Sequence, residues 1–568
     1  MNGLTLLVGA VAFYVVAYFL YGGFLSRLFG LDRDRPTPAH TLRDDIDYAP
    51  TNPFVLFGHH FASIAGAGPI VGPIMAIYFG WAPVLLWLLL GCMFIGAMHD
   101  LAAMVMSVRN QGRSIASVIE HYIGYSGRQL FLVFCWSTLI LVVAVFAKLV
   151  AATFVSNPAV ATSSLLFIAI APVFGWLVYR RGLSIFMGTL IFVPLVFFFV
   201  WLGTKIPLDI GAFLGTTGSQ TKTIWVLILL IYCAVASTLP VWLMLQPRDY
   251  LNSYLLYGML LFGFIGIIAF RPEIHAPAFV GFKAPNFSGV ETSLFPFVFV
   301  TIACGACSGF HSLVASGTTA KQLDNEKDAV PVGYGAMLLE GILGVIAMIS
   351  VGYLTREQIV GAGGTGDAAS LFARGLASFG TRIGVGETIG AVFVSLSVSA
   401  FLMTSLDTST RLARFTLQEL FSPRAGVDVS TTPTSSLSRN PVAAFFSNMY
   451  VATLLSVLVA LWLTFGESDR IWPVFGASNQ LLAALTLLVA SLWLIRRRAK
   501  PLVAIIPMVI MLSVSCAALL QLAGGELRKG GNIALGVICV ILLALALVLV
   551  LMSARAVVLE FRKGRVSA

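Results

Sequence analysis

One apolar stretch, Phe54 to Ala76 (FVLFGHHFASIAGAGPIVGPIMA), limits what this chain can become. It is long enough to cross a bilayer, which takes about 20 such residues. Its centre, however, reads Gly66-Ala67-Gly68-Pro69 and then Gly72-Pro73. Proline removes an amide donor and disfavours helical geometry in the residue before it, and glycine adds backbone freedom. A helix is predicted to break here and to leave backbone groups without partners. Hydrocarbon cannot satisfy such groups, so the break must be buried in protein or line a cavity.

Composition supports a membrane setting. Of 568 residues, 58% are hydrophobic and 11% charged, and the mean hydropathy is +0.93. These values exclude a soluble globular chain. The net charge of +10 does not point to nucleic acid, because the basic residues lie in short loops, as the positive-inside rule requires. Arg109/Arg113, Arg180/Arg181, Arg496/Arg497/Arg498/Lys500 and Arg562/Lys563/Arg565 mark the inside. They predict an external N-terminus and a cytoplasmic C-terminus. The run Leu4 to Leu25 lacks a basic leader and a small-residue cleavage site, and reads as a retained helix. The seven cysteines lie in apolar segments and read as packing residues, not as a disulfide framework. No GxxxxGK[ST] pattern is present, which argues against ATP-driven transport by this chain alone.

About 15 spans of membrane-crossing length follow one another along the chain. A second interrupted segment runs from Leu294 to Gln322, with its centre at Gly305-Ala-Cys-Ser-Gly309-Phe-His311. Both segments fit G-x-H-x5-G: Gly58, His60 and Gly66 in the first, Gly309, His311 and Gly317 in the second. Around each the order is the same: broken helix, span, amphipathic stretch (Ser114 to Ile123, or Ala368 to Phe379), then three more spans. An odd number of spans separates the two starts, so the halves are predicted to have opposite orientations. Such an inverted five-plus-five repeat carries its site where the discontinuous helices meet. The units expected are 1–53 (first helix and cytoplasmic linker), 54–205 (first repeat), 206–293 (an inserted helix pair), 294–496 (second repeat) and 497–568 (peripheral helices). The alternative is a large helical bundle that uses glycine for close packing.

The run Asp47 to Pro53, continuing through Phe57-Gly-His-His-Phe-Ala-Ser-Ile-Ala-Gly-Ala-Gly-Pro69, resembles the carbon starvation protein A family. So do Leu239 to Ser253 (LPVWLMLQPRDYLNS), Ser308-Gly-Phe-His-Ser312 with Ser316-Gly-Thr-Thr319, and Trp472 to Gln480. The resemblance implies an inner-membrane importer of peptides or of small carboxylates such as pyruvate, driven by an ion gradient. It also implies a leucine-transporter-like fold, since the family is grouped with the amino acid–polyamine–organocation superfamily.

Several residues are candidates for binding or coupling. Exposed amides near Gly66 to Val71 and near Gly309 to Leu313 would attract a carboxylate. With His59, His60, Gly66, Gly68, Ser308, His311 and Ser316 they form the predicted substrate-binding set. Histidine can shuttle a proton or donate to a carboxylate, or simply bond a neighbouring carbonyl. Asp100 and Lys148 are ionisable groups inside spans and so are candidates for ion coupling; a structural Asp100–Lys148 pair is the other reading. Glu340 reads as structural, and Asn479-Gln480 as helix-to-helix hydrogen bonding. By the resemblance, Thr404, Ser405 and Asp407 are placed like a cation site against the first broken helix. Serine and threonine bonding back to their own helix would explain the hydroxyls equally well. The segments Arg27 to Pro53 and Ser422 to Asn440 read as polar cytoplasmic connections.

The expected protein is therefore an all-α polytopic membrane transporter, not an enzyme. It takes a small-molecule substrate within the lipid bilayer, with H+ or Na+ as coupling ion and with no cofactor, resident metal or nucleic acid. A membrane nutrient sensor that signals through a partner is the alternative, and a membrane-embedded enzyme built on the histidines is a third reading. No sequence feature sets an oligomeric state.

Overall fold

A computed structural model of the chain describes residues 1–44, 48–240, 243–286, 289–361, 368–421, 441–465, 468–528 and 531–566. The Ser422 to Asn440 connection, Asp47 of the first family block, and Val241 and Trp242 of the second lie outside the described residues. Among the described residues, thirteen helices are long and apolar enough to cross a membrane, and two bent helix pairs bring the number of spans to as many as 15. The protein is an all-α, multi-pass membrane protein, as its composition requires.

In chain order, α1 (Gly3–Phe29) precedes the broken pair α2 (Pro53–Ile64) and α3 (Gly68–Ala76). Next come α4 (Trp81–Arg109), the short amphipathic α5 (Ile115–Ile123), α6 (Tyr125–Ser156), α7 (Pro158–Arg181) and α8 (Ile185–Lys205). A helical hairpin follows, α9 (Gly218–Thr238) and α10 (Leu245–Phe270). A two-stranded antiparallel ribbon, β1 (Lys283–Pro285) with β2 (Glu291–Ser293), pairs Ala284 with Thr292. It leads into the second interrupted span, α11 (Leu294–Ile302) and α12 (Gly309–Gly317). The remainder is α13 (Glu326–Gly352), amphipathic α14 (Ala368–Gly380), α15 (Glu387–Leu420), α16 (Pro441–Ser447), α17 (Met449–Thr464), α18 (Ser468–Arg496), α19 (Leu502–Glu526) and α20 (Ile533–Val566).

Local chemistry accounts for where the key helices start and stop. Asn52 caps α2, its side chain accepting from the Phe54 amide at 3.0 Å, and Pro53 takes the first helical position, where no donor is needed. Helix α2 ends at Ala65, whose ψ of 61° is not helical. Pro69, without an amide, stands at the second position of α3, and the two helices are bent by 44°. The second break begins at Ala303, which turns with φ of 32°, in the region that favours glycine, and ends at the extended residue Ser308.

Helices α6, α15 and α18 form the enclosed centre, and α6 packs along α15. Helices α8 and α20 expose large apolar side chains such as Phe186, Leu190, Leu547 and Leu551 on their outer faces, as a surface in lipid requires. Two features go beyond what the sequence showed. The polar Arg27 to Pro53 connection is docked: Arg109 grips Glu326 through Nε and Nη2 at 2.7 and 3.0 Å, Arg35 reaches Glu326 at 3.3 Å, and the Asp32 amide donates to it at 2.9 Å. The α9–α10 hairpin, expected as an insertion between halves, packs into the bundle against α2, α6 and α15. Polar residues on its inner face, among them Tyr232 and Asn252, find partners on α15.

Candidate functional site

The two breaks meet. A Cβ on Gly305 would lie 3.3 Å from the Pro69 Cα, and one on Gly72 would lie 2.6 Å from the Ile302 carbonyl oxygen. A Cβ on Gly68 would run into the Cys304 side chain. At Gly72 glycine is required because the α11 backbone approaches more closely than a side chain allows, and at Gly68 because the Cys304 side chain fills the space. On the other side of the first break, Ser405 Oγ of α15 would sit 2.6 Å from a Cβ on Gly66.

The terminal amides are less open than the sequence suggested. The Phe310 amide donates to Asn479 Oδ1 at 2.9 Å, and Asn479 Nδ2 donates to Ser308 Oγ at 3.0 Å and to Cys304 Sγ at 3.2 Å. Helix α18 thus caps the second break, and it lies so close to Gly309 that a Cβ there would strike the Asn479 carbonyl. In the first break, the Ile70 and Val71 amides turn back to the Ala67 carbonyl at 3.1 and 2.8 Å.

Beside the breaks lies a buried cluster of histidines and carboxylates. Asp100 of α4 bonds His99 Nδ1 through Oδ1 at 2.7 Å and His311 Nδ1 of α12 through Oδ2 at 2.9 Å. His311 Nε2 stands 3.5 Å from Glu340 Oε2 of α13. His60 of α2 is hydrogen-bonded through Nδ1 to Thr319 Oγ1 at 2.8 Å. All five ionisable residues are fully enclosed. An ionised Asp100 only accepts, so both rings present an Nδ1–H to it. That leaves the Nε2 of each ring as an atom where a proton can come and go, and His311 Nε2 is the one that faces Glu340. Neither Glu340 oxygen nor the Nε2 of His60, His99 or His311 has a hydrogen-bond partner among the described residues.

A second polar network lies across α2. Asp407 of α15 pairs with Arg248 Nη1 of α10 and accepts from the Tyr232 hydroxyl at 2.8 Å and from the Cys233 thiol at 3.3 Å. Arg248 Nη2 is 3.7 Å from Asp249 Oδ1, and Asp249 Oδ2 is 3.8 Å from His59 Nδ1. Asn252 Nδ2 donates to Thr404 Oγ1 at 2.9 Å.

The sequence-derived residues therefore fall into separate groups. His60, Asp100 and His311 come together, joined by Glu340, which the sequence had marked as structural. Gly66, Gly68 and Ser308 lie in the breaks, and Ser405 faces Gly66. His59 looks the other way, towards Asp249. Asp100 turns to two histidines and not to Lys148, which is buried on α6. Asp407 is held by Arg248 and Tyr232, so its charge is balanced by the guanidinium. Ser316 is remote from the break: its hydroxyl accepts from the Ile115 amide at 3.3 Å and donates to the Ser312 carbonyl at 2.7 Å, tying α12 to α5. Sequence reasoning missed Arg248, Asp249 and Tyr232. The signal was an Arg-Asp pair at the head of an apolar run, within the block Leu239 to Ser253, and α10 takes it in from Leu245.

A family model described as carbon starvation protein CstA matches residues 2–363 and 358–518. The peptide transporter CstA of Bacillus subtilis (strain 168) is 33% identical over 532 residues, covering 86% of this chain and 85% of that protein. The peptide transporter CstA of Escherichia coli (strain K12) is 32% identical, over 94% and 83% of the two chains. The pyruvate/proton symporter BtsT of the same strain is 30% identical, over 88% and 78%. Among solved structures, an Eremococcus coleocola manganese transporter aligns over 91% of this chain and 98% of its own at 11% identity, with a TM-score of 0.40. On the family match and these identities, the chain belongs to the carbon starvation protein CstA family.

Proposed function

We propose that the protein is a secondary active transporter that imports a small carboxylate such as pyruvate, or a short peptide, together with protons. The single observation that carries this reading is the meeting of the two helix breaks beside the enclosed His60–Asp100–His311–Glu340 cluster. Unwound backbone and ionisable groups at the middle of a membrane bundle are costly unless they serve transport. The names of the relatives, peptide transporters and a pyruvate/proton symporter, support the substrate class. Proton coupling rests on the chemistry of the cluster: histidine and carboxylate exchange protons, whereas the hydroxyls of Thr404 and Ser405 alone are a meagre sodium site.

Packing supports an inverted repeat. Helix α3, from the first broken span, packs on α13 and α14, which follow the second break; α12, from the second, packs on α4 and α5, which follow the first. Each broken helix thus embraces the other half, as rocking of two repeats about a shared site would require. In this proposal residues 54–205 and 294–496 are the repeats, the N-terminus faces outward and the C-terminus the cytoplasm of the inner membrane.

The test is uptake by the full chain in liposomes. With the lumen one pH unit more alkaline than the medium, labelled pyruvate or dialanine is expected to accumulate up to about tenfold per coupled proton, since one unit is worth about 1.4 kcal/mol. A protonophore should abolish the accumulation, and a sodium gradient should not replace the proton gradient. Ligand binding without accumulation under either gradient would refute transport and support the sensor.

A further inference from the structure

We infer that Arg248 is the residue that receives the substrate's carboxylate. The inference rests on the proposed substrate class, and it concerns a side chain that sequence reasoning did not select. Arg248 is 1% exposed. Its Nη1 is engaged with Asp407 and donates to the Tyr232 hydroxyl at 2.6 Å. Its Nε and Nη2 have no hydrogen-bond partner among the described residues. These two nitrogens form the edge of the guanidinium that grips a carboxylate with two parallel bonds. The same molecule shows the filled arrangement at Arg109, whose Nε and Nη2 hold Glu326 at 2.7 and 3.0 Å.

An enclosed guanidinium with an empty edge is costly, and a buried donor of this kind calls for a partner, whether a water, an ion or a ligand. Asp249 is the nearest carboxylate to that edge, but at 3.7 Å it stops short of a hydrogen bond, and neither of its oxygens has a hydrogen-bond donor among the described residues. The position is connected to the first break. One helical turn on, Asn252 bonds Thr404, and the next residue, Ser405, faces Gly66. His59, on α2, reaches the same cluster and retains 16% side-chain exposure, so the cluster is not fully sealed. At the start of α12, the alternative anchor for a carboxylate, the Phe310 amide is already taken by Asn479. A monocarboxylate, or the C-terminal carboxylate of a short peptide, would therefore lie between α10, α15 and the first break, its two oxygens on Arg248 Nε and Nη2.

The test combines binding and uptake by the full chain, with labelled pyruvate and labelled dialanine as probes. Removing Arg248 alone leaves Asp407 buried without its cation, so R248Q is compared with the double variant R248Q/D407N, which removes both charges. The double variant is expected to recover the thermal stability that R248Q loses, yet to bind the probe at least about thirtyfold more weakly than the wild type. Pyruvamide and amidated dialanine should fail to compete in the wild type, and whichever labelled acid binds identifies the source of the carboxylate. Wild-type affinity in R248Q/D407N, or competition by the amides equal to that by the acids, would overturn the role of Arg248. Binding that depends on Arg248 without gradient-driven uptake would leave this inference standing and remove the transport reading instead. No binding of either acid by the wild type would overturn both.

Discussion

A methyl group at Gly68 has nowhere to go, because the Cys304 side chain already occupies its place. At Gly66 the obstacle is the Ser405 hydroxyl, the far end of a short side chain that can turn away. Gly68→Ala is therefore expected to lower stability by about 1–3 kcal/mol through overpacking, and Cys304→Gly to restore most of it. Gly66→Ala should cost less, and Ser405→Ala should relieve it. Thermal denaturation of the four single variants and the two doubles checks both couplings; additive effects within either pair would deny the contact. Glu340→Gln keeps the shape of the side chain and removes the charge facing His311. It is expected to cut proton-driven uptake at least about tenfold while sparing exchange of substrate at equal pH, which needs no net proton movement. Equal loss of both activities would make Glu340 structural. At this scale His60, Asp100 and His311 could be read from the sequence, because ionisable residues stand out in apolar segments. That His311 and Glu340 face each other could not, since no local pattern relates residues on two different helices.

Helix ends carry the next level of the account. The side chain of Asn479 satisfies the Phe310 amide and holds Ser308 and Cys304 around the second break. Asn479→Ala leaves that buried amide unmet and is expected to cost about 1–3 kcal/mol, seen as a lower Tm. The same variant should bind carboxylates no more tightly than the wild type if Arg248, and not the α12 terminus, is the anchor. Glu326 gathers Arg109, Arg35 and the Asp32 amide. Glu326→Gln should release the connection after α1 and speed proteolytic cleavage at Arg33 and Arg35, with little effect on the bundle. Span positions were legible because length and hydropathy suffice to find a membrane helix. The partners at a helix start were not: Arg248 and Asp249 stand in the block Leu239 to Ser253, but nothing local pairs them with Asp407 on α15 or His59 on α2. The docking of the polar connection was equally hidden, because Glu326 and its partners are hundreds of residues apart in sequence.

At the scale of the whole molecule, the order of elements around two glycine-rich interruptions is the basis for the proposed inverted repeat. Packing adds that each broken helix lies against the other half, and that the α9–α10 hairpin is built into the bundle beside the first break. That last feature follows from side-chain partners such as Asn252–Thr404, which the sequence alone does not pair. The central claim is that the two breaks, meeting beside buried histidines and carboxylates, form the transport site. It is tested most directly by cryo-electron microscopy of the full chain in lipid nanodiscs with saturating pyruvate or dialanine. Ligand density is expected against Ala65 to Gly68, between α10 and α15, with both helices still interrupted. Density confined to an outer face of the bundle, or α2 running unbroken into α3, would contradict it.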